Sequence, residues 1–154
     1  MSDNILSVIP ADPHWQPGPE AADRAVAVVA ELIQGPPDGF AEVEVSWHET
    51  LTLVDCGANL EGIGCPRCAG SVDLGWWTEL VESSADGGLT TLLYQVPCCG
   101  VELSIDTLEY DWPCGFARFE IAVWNPGRDW FTDEELTALA DALGRPVRQV
   151  MAHI

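Results

Sequence analysis

The chain has no lysine. Its strong cations are six arginines, set against 25 aspartates and glutamates in 154 residues, for a formal net charge of −19. A surface so poor in cations repels phosphate backbones, which excludes the usual footprint of nucleic-acid binding. It leaves room for a basic protein partner, whose encounter an acidic surface speeds, and for a plain role in solubility. No stretch approaches the roughly 18 apolar residues of a membrane helix. Residues 1–15 hold neither a basic n-region nor an apolar export core, so a cytoplasmic protein with no membrane association is expected. Histidine is scarce, at positions 14, 48 and 153. No Gly-x-Ser-x-Gly, phosphate-cradling glycine loop or His-Glu-x-x-His occurs. A hydrolase without a recognisable motif would have to rest on His48 with Glu49 and Asp55, and strand alternation puts His48 on a solvated face.

What the chain does have is apolar mass: 47% hydrophobic residues and seven tryptophans. That composition belongs to a folded core, not to a disordered acidic tail, and 154 residues suit a single domain.

Punctuation along the chain predicts the elements. Ile5–Ile9 reads as a strand, followed by a proline-rich loop over 11–18. Pro19 suits the first helical position, with Glu20 and Asp23 near the positive helix end. Val26, Val29, Ala30 and Ile33 form its apolar face, and Gly35-Pro36-Pro37 stops it. Glu42–His48 alternates as a half-buried strand with Val43, Val45 and Trp47 inward. Leu51–Asp55 reads as a second strand paired with it through the intervening turn. A glycine-rich loop over 56–64, a helix over 73–83 with Leu74, Trp77 and Val81 on one face, and strands over 89–96 and 101–105 follow. Phe116–Trp124 is the next strand. Thr132 with Glu135 offers a capping box. Leu136, Leu139, Ala140 and Leu143 repeat the helical stripe, Gly144 ends it, and 146–154 is the last strand.

The two ends are alike. Residues 5–47 and 116–154 each run strand, loop with a tryptophan (Trp15, Trp130), helix, strand. Two βαβ halves folded together predict an α+β, ferredoxin-like sandwich, with right-handed crossovers. Residues 50–110 are then a module inserted between the halves. Trp76 and Trp77 cannot both face the core of one helix. Tryptophans are expected to wedge the module against the sandwich, and one free at the surface would mark a partner interface.

The module carries the chemistry. Cys65-Pro66-Arg67-Cys68 and Pro97-Cys98-Cys99-Gly100 are two thiol pairs flanked by turn residues. Disulfides are rare in the cytosol, which turns the six cysteines toward metal, redox chemistry or burial. The first pair resembles a zinc-ribbon knuckle, so residues 65–100 resemble a two-knuckle zinc ribbon. That resemblance implies a structural Zn²⁺ held by Cys65, Cys68, Cys98 and Cys99, with no open coordination position for catalysis. Two departures stand against the pattern. Residues 69–97 separate the pairs, longer than the usual gap of about 15–20. Cys98 and Cys99 are adjacent, and in an extended strand they would point to opposite faces, so both reach one metal only if the chain turns there, as Pro97 and Gly100 allow. If only one of them ligates, Cys56, Cys114 or His48 supplies the fourth position. Cys56 and Cys114 also suit small core sites.

The leading functional expectation is a non-enzymatic acidic binding or accessory protein, immunity- or inhibitor-like, with a basic protein partner and a structural zinc. A thiol-disulfide oxidoreductase is the alternative, since Cys65-Pro66-Arg67-Cys68 looks like a glutaredoxin-type active site. However, Ala69-Gly70-Ser71 is a poor helix start, and the second cysteine pair has no place in that mechanism.

Overall fold

The computed structural model describes residues 4–33, 42–54, 60–83, 89, 91–112 and 114–153. It is a mixed α/β fold. Strands β1 (Asn4–Pro10), β2 (Glu42–Val54), β7 (Gly115–Trp124) and β8 (Val147–His153) form one sheet in the order β2-β7-β1-β8, every neighbour antiparallel. Helix α1 (Pro19–Leu32) links β1 to β2, and α3 (Asp133–Leu143) links β7 to β8. Strands that are neighbours in sequence are therefore separated in the sheet, and the chain ends interleave with each other's half. Between β2 and β7 come β3 (Ile63–Gly64), α2 (Leu74–Ser83), β4 (Leu93–Gln95), β5 (Glu102–Ser104), a 3₁₀ turn over Ile105–Thr107 and β6 (Glu109–Tyr110). β3 pairs with β6 and β4 with β5, both antiparallel.

Period-two alternation gives the sheet two apolar faces. Leu6, Val8, Phe119, Ile121, Val123 and Met151 form one core with Ala22, Ala25 and Val29 of α1 and Leu139 and Leu143 of α3. Ile9, Phe116, Ala117 and Val150 form a second core with Val72, Trp77, Leu92, Val96, Leu103 and Ile105 of the intervening segment. Trp112 packs against both. Its ring lies 5.5 Å from Trp130, and its Nε1 donates to the Met151 carbonyl at 2.7 Å. It is the expected wedge.

The helix ends follow the local chemistry. Pro19 opens α1 with Glu20 in its first turn. Thr132 Oγ1 accepts from Glu135 N at 3.2 Å while Glu135 Oε1 accepts from Thr132 N at 2.8 Å. Gly144, at φ 97°, closes α3 by donating to the Ala140 carbonyl. In α2, Trp77 is buried and Trp76 only partly so. The Gly35-Pro36-Pro37 stop lies outside the described residues.

Several expectations are corrected. In α1 the buried positions are Ala22, Ala25 and Val29, with Ile33 buried just past its end, while Ala30 is exposed. The helix turns its small residues inward because alanines allow close approach to the sheet and α3. Glu42–His48 and Leu51–Asp55 are not a hairpin. Residues 42–54 run as one strand along β7, pairing Trp47 with Phe119 and Thr52 with Ala117, with a bulge between. The bulge hands Leu51 to Leu89 of the intervening segment through reciprocal bonds of 3.0 and 2.8 Å. Gln16 Nε2 caps carbonyls of both strands there, His48 O and Arg118 O, each at 2.8 Å. Trp47, expected inward, is 48% exposed. It lies against the rim of the helix-side core, its ring 5.2 Å from Phe119. The strand expected over 89–96 reduces to a bridge at Leu89 and β4. The strand over 101–105 ends at Ser104, whose Oγ accepts from Asp106 N to start the 3₁₀ turn.

Candidate metal centre

Two turns bring the cysteines together. In the first, Cys65 N donates to Gly70 O at 2.9 Å and Ala69 N to Cys65 O at 3.0 Å. In the second, Val96 N donates to Val101 O at 3.1 Å and Gly100 N to Val96 O at 2.9 Å. Each turn places its fifth residue in the left-handed region, Ala69 at φ 61° and Gly100 at φ 74°. The two are the same turn, used twice. Pro66 matches Pro97, Arg67 matches Cys98, Cys68 matches Cys99, and the buried Cys65 matches the buried Val96. The sequence reading did not find this correspondence, although the shared proline and the small residue three places on were its signal.

The correspondence explains how neighbouring cysteines serve one point. Each turn curls through i→i+4 bonds like a single helical turn, where successive side chains diverge by about 100° instead of 180°. The Sγ atoms of Cys65, Cys68, Cys98 and Cys99 all lie within 4.8 Å of one another, with Cys65 Sγ 3.9 Å from Cys99 Sγ. Four sulfurs about 2.3 Å from a tetrahedral zinc stand about 3.8 Å apart. The cluster is within about 1 Å of that arrangement, and its four soft sulfur donors suit a d¹⁰ ion such as zinc.

The surroundings favour thiolates in part. Gly70 N donates to Cys68 Sγ at 3.4 Å, and a Cβ on Gly70 would sit 3.2 Å from that sulfur. The Cys65 thiol is lowered to about 7, first by the backbone N–H of Cys68 and then by that of Arg67. The Cys98 thiol is pushed up to about 12, first by desolvation and then by the hydrogen bonds its S–H donates to the neighbouring cysteines. Four close sulfurs resist ionising together, and a divalent cation among them reverses that resistance.

The cluster is anchored. Tyr110 OH donates to Ile105 O at 2.6 Å and accepts from Trp77 Nε1 at 3.3 Å, with the rings 6.0 Å apart edge to face. Burial raises the Tyr110 phenol well above its ordinary range, which keeps it a donor. Arg148 of β8 bonds Asp106 Oδ1 at 3.1 Å and Cys114 O at 2.9 Å, tying the segment to the sheet.

The other proposed ligands lie elsewhere. Cys114 is buried in the core beside Phe116 and Ile9. His48 is half-buried on β2 at the bulge, its Nε2 enclosed without a hydrogen-bond partner. Cys56 and Asp55 lie outside the described residues. The arrangement can hold a metal ion through four sulfurs, and among the described residues it is the group of ligating side chains that converges in this way. No protein-family model, curated protein or solved structure matches the chain.

Proposed function

We propose that the chain is a non-enzymatic acidic binding or accessory protein whose cysteine cluster holds a structural Zn²⁺ through Cys65, Cys68, Cys98 and Cys99. The proximity of the four sulfurs, all within 4.8 Å, carries the reading. A four-thiolate site leaves no coordination position for substrate. Zinc neutralises half the charge of four thiolates, a large local gain in a chain already at −19. The surrounding architecture is a ferredoxin-like sandwich of two split βαβ halves, supported by the order β2-β7-β1-β8. Its module is zinc-ribbon-like, supported by the repeated turn. The partner is a basic protein. Six arginines cannot match 25 carboxylates, and Arg128–Glu135 and Arg148–Asp106 already occupy two of them.

The thiol-oxidoreductase alternative has a lowered Cys65 thiol in its favour, but that sulfur is buried and α2 begins only at Leu74. Elemental analysis of protein purified without added metal distinguishes the two. About one zinc per chain is expected. Cys65→Ser should release it and lower the melting temperature, since metal-binding energy is folding energy here. A metal-free, fully folded protein with a rapidly alkylated Cys65 would overturn the zinc reading.

A further inference from the structure

The four cysteines are not equally sheltered. Cys65 is buried, with no exposed surface, whereas Cys68, Cys98 and Cys99 are exposed at the tips of the two turns. The second turn has Val96 where the first has its sheltered cysteine, so both its sulfur-bearing residues, Cys98 and Cys99, lie on the outside. Thiolate sulfur open to solvent is a nucleophile, and its oxidation follows thiolate character and exposure. Cys65 Sγ and Cys99 Sγ, 3.9 Å apart, join one sheltered and one exposed cysteine across the two turns.

We infer that Cys99 is a modification site for peroxides, and that its oxidation expels the metal by forming a Cys65–Cys99 disulfide. This rests on the zinc reading above. The Cys99 thiolate attacks the O–O bond of a peroxide. It gains one oxygen as the sulfenic acid, and the other leaves as hydroxide or alkoxide. The Cys65 thiolate then attacks the Cys99 sulfur. The S–S bond forms, the S–O bond breaks, and hydroxide departs, taking a proton from solvent. Two thiolates lose two electrons, and one peroxide is reduced. The sulfurs must close from 3.9 Å to about 2.05 Å, a movement the metal opposes until a ligand is oxidised. Cys68 and Cys98 remain, and two thiolates hold zinc far less tightly than four. A Cys98–Cys99 link would instead require a strained ring between adjacent residues.

The chain's own arginines make the test direct. Cleavage after Arg67 separates Cys65 from Cys68, Cys98 and Cys99, because the next arginine is Arg118. Zinc-loaded protein is titrated with hydrogen peroxide while a chromogenic chelator reports free zinc. It is then alkylated and digested at arginine without reductant. The expected result is one zinc released and two thiols lost per chain, with peptides 25–67 and 68–118 joined. Fragment ions should place the link at Cys65 and Cys99, and dithiothreitol with added zinc should restore the starting state. Zinc that stays bound at several equivalents of peroxide overturns the inference and leaves the zinc reading intact. So does zinc lost without a link, or with a link confined to other cysteines. Protein that purifies without metal overturns both.

Discussion

Cys98 stands where the first turn carries Arg67, and Val96 where it carries Cys65. At this scale the cysteine cluster is one backbone device with two different decorations. The double variant Val96→Cys, Cys98→Arg should therefore keep a four-sulfur site, with ligands at 65, 68, 96 and 99 and about one zinc per chain. Cys98→Arg alone should lose the metal. Zinc content and melting temperature of the two variants check this, and loss of metal in the double variant would mean the turns are not equivalent. The cysteine spacing in the sequence was enough to single out the four cysteines that converge. Pro97 and Gly100 also pointed to the turn that lets Cys98 and Cys99 share one point, but not to its curl, which is set by the left-handed Gly100 and the bond from its N–H to the Val96 carbonyl. Trp47 was misplaced for a related reason. Alternation sets the side of a sheet on which a residue lies, not whether a helix reaches far enough to cover it.

Element ends were the most legible part of the chain, since capping is decided within a few residues. Thr132→Ala should cost about 1 kcal/mol, seen as a drop of about 2–4 °C in melting temperature for a domain of this size. Glu135 serves the same cap and also pairs with Arg128, Nη1 to Oε2 at 2.9 Å. The Arg128 guanidinium, helped by the Thr132 backbone N–H, holds its carboxyl at about 2, below the ordinary 4.5. A depressed carboxyl stabilises the fold fully above its unfolded value and loses that contribution as pH falls through the folded value. The difference in melting temperature between the native chain and Glu135→Gln should thus be constant above about pH 5 and shrink toward pH 2. Protonation of the cysteine cluster affects both proteins alike and cancels in the difference. The α1 face was misread because Val26 and Ala30 fit the helical period as well as Ala22 and Ala25 do. Close approach of α1 to α3 and the sheet selects the alanine stripe, and no local signal records that approach.

At the scale of the molecule, the described residues form two cores on one sheet, and they differ in what holds them. The helix-covered core is closed by long elements. The opposite core depends on strands of two or three residues, too short to be stable alone, and on two turns converging on the cysteine cluster. Chelation of the metal should therefore act regionally. In hydrogen exchange, amides of β3, β4, β5 and the segment around Trp77 should lose protection, while β1, β7, α1 and α3 keep theirs. Uniform loss across both regions would show that the cores unfold as one unit. The two-half organisation was readable from the repeated strand–loop–helix–strand order with Trp15 and Trp130. The β3–β6 pairing was not, because two residues carry no periodicity.

The irregularity in β2 has a consequence of its own. Side chains along a strand alternate, so a one-residue slip in an unbroken strand reverses every position beyond it. Here the slack between Trp47 and Thr52 separates the strand into two independently indexed lengths. Val43 and Val45 are set against Val123 and Ile121, and Leu53 and Val54 against Phe116 and Gly115. An added or lost residue at the slack would be absorbed there, and neither core would inherit the other's misalignment.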